Sequence, residues 1–167
     1  MDNNFMLIPA FMVSKQAIAE IIKCNEITSR FGLTLSQKEA HELVETRSEA
    51  LNSNGRIEFG GGIIDKLIIG FCDSPFLSEY NYADTLNELI ETFYYFKNES
   101  LDSISDDELI LLMKKYFDQK CQGSISLLQN RELEILTHNI RYGIDDYENI
   151  YDDTDEYFDE ENDDEQY

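Results

Sequence analysis

The sequence predicts an all-α fold, an irregular bundle of about six helices, and three observations carry that prediction. Apolar residues recur at three- and four-residue spacing through most of residues 1–144. Two Ser-x-x-Glu runs, Ser36–Glu39 and Ser105–Glu108, have the form of a capping box, in which serine and glutamate side chains each satisfy a free backbone N–H at the other's position. The polar–apolar alternation of an extended chain is confined to Arg56–Phe59, within the glycine-rich stretch Asn54–Gly62 (NGRIEFGGG).

A first helix is expected from Ser14, as its cap, to about Phe31. Ile18, Ile21, Ile22 and Ile27 supply its apolar side, and Gly32 stands where a terminator belongs. The second helix starts at the Ser36 box and buries Ala40, Leu43, Val44, Ala50 and Leu51, with Arg47 interrupting the stripe. Asn54-Gly55 then permits a sharp turn, since both residues accept positive φ. Arg56–Phe59 is a short extended element with Ile57 and Phe59 on one side, and Gly60, Gly61 and Gly62 allow a close backbone approach. That stretch is expected to join two helical halves.

Beyond it, Ile63, Ile64, Leu67, Ile68 and Phe71 make a helix apolar over much of its girth, which places it centrally. Asp73-Ser74-Pro75 closes it, because the residue before a proline avoids the α region. A fourth helix is expected from about Ser78 to Asn98, with Tyr82, Leu86, Leu89, Ile90, Phe93 and Phe96 near one face. A fifth follows Ser105, turns Leu109, Leu112, Met113, Tyr116 and Phe117 inward, and ends at Gly123. The last helical stretch runs from Ser124 or Asn130 to Tyr142, with Leu133, Leu136 and Ile140 inward, a break near Gln129-Asn130, and Gly143 after it.

Charge divides the chain into two parts. Of the formal net charge of −22, Asp145–Tyr167 carries 13 acidic and no basic residues, which leaves −9 for Met1–Ile144. The expected organisation is a helical domain over 1–144 and an acidic tail over 145–167. The tail is expected to be disordered, because it repels itself and has little to bury; Tyr147, Tyr151, Tyr157, Phe158 and Tyr167 are its contact points. Such a field repels phosphate backbones and anionic membranes, so neither nucleic acid nor membrane is an expected partner. A protein with a basic surface is.

Phe5–Val13 is apolar except for the helix-breaking Pro9, too short to span a bilayer, and preceded by no Lys or Arg. It is expected to pack as an arm on the body or on a partner, and the protein is expected in the cytoplasm. Cys24, Cys72 and Cys121 have neither zinc-ligand nor redox spacing and are odd in number, which suits small hydrophobes in a reducing compartment.

The runs GRIEFGGGIIDK, FCDSP, FYYFKNESLDSISDDEL and YFDQKCQGS resemble a family of short proteins from low-GC Gram-positive bacteria, known as a domain of unknown function. The resemblance covers roughly Leu7–Tyr142 and leaves the tail outside. It implies a bacterial cytoplasmic protein and carries no activity or cofactor.

Candidate chemistry is sparse. His41 and Glu45, four apart on the second helix, could both reach one cation, but a third ligand is missing and an exposed polar face explains them equally. Gly60, Gly61 and Gly62 before the Ile63 helix could cradle an anion on free N–H groups, with Arg56 and Lys66 as the nearby cations; close packing is the plainer account. Cys72, beside Asp73 and Ser74, lacks a histidine base in sequence and follows an apolar run, which suits a buried thiol. The tail's Asp152-Asp153-Thr154-Asp155 lacks the glycine and terminal glutamate of a calcium loop. The sequence therefore predicts a non-catalytic interaction protein with no cofactor, whose helical body docks on a partner while its tail contacts a basic surface. The alternative is a small anionic-ligand or weakly enzymatic module built on the glycine joint.

Overall fold

A computed structural model describes residues 10–56, 60 and 62–143. Among them are six helices of nine residues or more: α1 (Ala10–Lys23), α3 (Gln37–Asn54), α4 (Gly62–Phe71), α5 (Tyr82–Glu99), α6 (Asp106–Gln119) and α8 (Leu133–Arg141). The short helices α2 (Asn25–Thr28) and α7 (Ile125–Leu127) stand between them, and no strand occurs among the described residues. The fold is all-α.

α4 is central, as its girth of apolar side chains requires. Ile63, Ile64, Leu67, Ile68 and Phe71 are all buried, and the helix touches α1, α2, α3, α5 and α6. α5 is the long wall of the bundle, with α3 along one side and α6, α7 and α8 on others. A single hydrophobic core runs from Ala17 to Leu136 and includes the five expected α6 residues. Arg47, which interrupts the α3 stripe in sequence, is itself buried.

Start and stop signals explain most helix ends. At α3, Ser36 N donates to Glu39 Oε1 (2.9 Å) and Glu39 N donates to Ser36 Oγ (3.1 Å), so the capping box is complete. Gly55, at φ 63°, closes the same helix. At α6, Ser105 Oγ accepts from Glu108 N. Gly143 follows the last helix at φ 69°.

Four boundaries differ from expectation, each for a local reason. The first helix begins at Ala10, so Ser14 lies inside it, and residues 10–13 of the apolar arm belong to α1. That helix also stops at Lys23: the Asn25 side chain clasps the backbone of Leu35 on both sides, Nδ2 donating to the carbonyl and Oδ1 accepting from N–H, each at 2.9 Å. The chain bends there through α2 and a 3-10 turn over Ser29–Phe31 to Gly32, at φ 75°, and Ile27 is left exposed. α5 starts at Tyr82 rather than near Ser78, because Asn81 accepts from Ser78 N and donates to Phe76 O, holding 76–78 in a turn. α6 ends at Gln119, four residues before Gly123, which sits at φ 82° with Phe76 packed against its Cα.

The break expected near Gln129-Asn130 is a π-helical segment, Leu128–Glu132, that joins α7 to α8; Ser124 caps the start of α7. The extended element's residues 57–59, Gly61, the arm's residues 5–9 and the acidic tail from 145 lie outside the described residues, and Arg56 follows α3 as irregular chain. Among the described residues no helix is long and apolar enough to cross a membrane.

Candidate functional site

Two surface regions combine shape with charge. The first is a cleft of about 450 Å³ where the C-terminal end of α3, the first turn of α4, the middle of α5 and the start of α6 meet. Leu51, Ile63, Phe93 and Tyr94 form its apolar wall; Arg56, Lys66, Lys97, Asp106 and Gly62 supply the polar part. Of the five candidates read from the glycine joint, Arg56, Gly62 and Lys66 therefore share one cleft. Gly60 stands apart against Glu20, whose Oε2 lies 2.6 Å from where a Cβ would be built, and Gly61 is outside the described residues.

Each cation of the cleft meets a carboxylate from the short segment Asp102–Asp107. Arg56 Nη2 lies 2.6 Å from Asp102 Oδ1, Lys66 Nζ 2.7 Å from Asp107 Oδ1, and Lys97 Nζ 2.8 Å from Asp106 Oδ1. Lys97 is only 8% exposed and also donates to the Ile104 carbonyl, which satisfies a charge that burial would otherwise penalise. Leu101 and Asp102 both sit in the left-handed region, at φ 54° and 58°, where non-glycine residues are strained. Sequence reading did not bring Lys97 or the aspartates to this cleft, because the pairs at Arg56 and Lys66 join residues 46 and 41 apart and no local spacing announces them.

The second region is a ridge on α5 flanked by two grooves. Tyr95, 53% exposed, and Glu91 line both. The groove toward α3, about 330 Å³, adds Thr46, Glu49, Ala50, Ser53 and Tyr94; the groove toward α8, about 370 Å³, adds Thr92, Phe96, Gln129, Asn130 and Glu134. The π segment turns Gln129 and Asn130 to this groove, and Gln129 Nε2 donates to Thr92 Oγ1 at 2.6 Å. Among the described residues, no Lys or Arg lines either groove. Its signal was present in the sequence: Asp84, Glu88, Glu91 and Tyr95, spaced by four, three and four, form the exposed stripe of α5.

Neither the histidine nor the thiols gather comparable machinery. His41 Nδ1 is 3.4 Å from Glu45 Oε1 on an exposed face, and no group of three His, Cys, Asp or Glu able to hold a metal occurs among the described residues. Burial, followed by Asp65, pushes the Cys24 thiol up to about 11, and burial, followed by Glu132, does the same to Cys121. Cys72 is raised as well, first by burial and then by Asp73. All three are thiols rather than nucleophilic thiolates at neutral pH. Beside Cys72, Ser74 Oγ bonds Asp118 Oδ1 (2.6 Å), and Lys114 links Asp118 (2.7 Å) to Asp73 (2.8 Å). This array ties the turn after α4 to α6.

No curated protein and no solved structure matches the chain. Residues 20–146, well over half of the sequence, match a family of unknown function (DUF6323), and the chain belongs to that family.

Proposed function

We propose that the protein is a non-catalytic cytoplasmic interaction module whose α3–α5–α8 face docks a basic segment of a partner protein. The observation that carries this reading is Tyr95, a half-exposed aromatic between two grooves lined by Glu49, Glu91 and Glu134 and, among the described residues, by no Lys or Arg. An exposed tyrosine offers a large contact area at low conformational cost, and its ring face attracts Lys or Arg. Glutamates on both sides supply the complementary field, which speeds encounter and fixes register more than it adds affinity. The 13 acidic residues of 145–167 extend that field toward the same partner. The raised thiols support a role that needs no nucleophile.

A chain of charge −22 attracts polycations anywhere on its surface, so the test must separate this face from general attraction. Capture from the native host is compared for the parent, Tyr95→Ala, Glu91→Gln and Glu26→Gln, the last an equal charge change on exposed α2. A partner should be held by the parent and by Glu26→Gln, and lost or weakened about tenfold or more by Tyr95→Ala, which leaves the net charge untouched. Retention that follows charge alone, with Tyr95→Ala as good as the parent, overturns the reading.

A further inference from the structure

We propose that the cleft between α4 and α5 binds a small phosphomonoester, and that Asp102 and Asp107 occupy its mouth as internal stand-ins for that anion. The inference is independent of the docking face. In a chain with 13 basic residues against 35 acidic ones, three cations from three separate parts of the chain line one cleft. Each of the three pairs with a carboxylate of one segment, Asp102–Asp107.

The pairs are of two kinds. Lys97, nearly buried and tied to the Ile104 carbonyl and Asp106, is the fixed floor of the site. Arg56–Asp102 and Lys66–Asp107 lie at the mouth, with the aspartate side chains 56% and 79% exposed. Exposed pairs of that kind are screened by water and worth little, so a stronger anion exchanges with them at small cost. A phosphomonoester carries up to two charges on three acceptor oxygens, suited to the planar fork of Arg56 and the ammonium of Lys66 together. Its organic body faces Leu51, Ile63 and Phe93, and a volume of about 450 Å³ is that of an ordinary small-ligand site.

The loop permits the exchange. Asp102 reaches Arg56 from a left-handed backbone, next to Leu101 in the same conformation. Backbone bonds hold that conformation, Leu101 N donating to the Asn98 carbonyl (3.0 Å) and Asp102 N to the Lys97 carbonyl (3.2 Å), so the Asp102 side chain can leave Arg56 without the loop refolding.

The test is calorimetric titration of the full chain with phenyl phosphate at constant ionic strength, up to about 10 mM, with melting curves to confirm folding. Saturable binding is expected in the parent. Asp102→Asn removes the competitor and should tighten binding about fivefold, whereas Arg56→Gln should weaken it about tenfold or more. Asp107→Asn, acting through Lys66, gives the same tightening by a second route should Asp102→Asn disturb the loop. Absence of saturable binding in the parent and in both aspartate variants overturns the proposal. So does binding that Arg56→Gln leaves unchanged.

Discussion

Lys114 shows how one side chain can join two elements. Burial alone would lower its pKa, but hydrogen bonds to Asp118 and Asp73 outweigh it and leave the ammonium above its ordinary 10.5. Asp73 is held below its ordinary 3.8, first by the hydrogen bond from Lys114. The signs fix two pH limits. Asp73's contribution is complete above 3.8 and is lost as pH falls through its lower folded value; Lys114's is complete below 10.5 and lost as pH rises through its higher folded value. Asp73→Asn should therefore cost under about 1 kcal/mol at neutral pH, because the Asp73 side chain is 62% exposed, and should remove the acid-side part of that dependence. Chemical denaturation of parent and variant between about pH 2.5 and 7 checks it: the two curves converge at the acid end. A gap that is constant with pH contradicts the assignment. At this scale the sequence showed that Asp73, Ser74 and Cys72 stand together. It did not show that Asp118 and Lys114, more than forty positions on, tie that turn to α6.

Helix ends divide into those written locally and those imposed from a distance. The Ser36 box, the Ser105 cap and the left-handed glycines at 32, 55 and 143 are local devices, each complete within a few residues, and all were legible. The apolar face of α4 was legible for the same reason, since helical periodicity alone specifies it. The break near Gln129-Asn130 was legible but its π form was not, nor was the bend at Cys24, because their partners lie elsewhere: Thr92 on α5 for Gln129, and Leu35 for Asn25. The bend gives a direct prediction. Asn25→Ala leaves both the N–H and the carbonyl of Leu35 without the clasp, in a partly buried loop whose Leu35 side chain belongs to the core. Two lost bonds of this kind should cost about 1–3 kcal/mol, more than an exposed alanine substitution on the same helix. Urea midpoints for Asn25→Ala and Glu26→Ala measure the difference. Equal midpoints would mean that the bend is set by α1 and α2 themselves.

The whole molecule is an acidic bundle that gathers three of its cations in one cleft and leaves α5 with an exposed acidic stripe. Both charge patterns reflect packing, which brings α3, α4, α5 and α6 to the first and α3, α5 and α8 to the second. The acidic residues beyond the family segment are a separate matter. Residues 147–167 hold eleven Asp and Glu and no Lys or Arg, half of the formal charge of −22, and they follow the last matched residue, 146. The buried set of the described core ends at Asn139. Self-repulsion among like charges opposes compaction and is screened within about 10 Å at 0.1 M salt. The full chain should therefore gain melting temperature as salt rises from about 10 to 200 mM, and a chain ending at Asp146 should gain less while melting no lower than the parent at low salt. Melting curves of both proteins across that salt range decide the point. A truncated protein that melts well below the parent at every salt concentration would show that residues 147–167 contribute to the fold rather than to its charge alone.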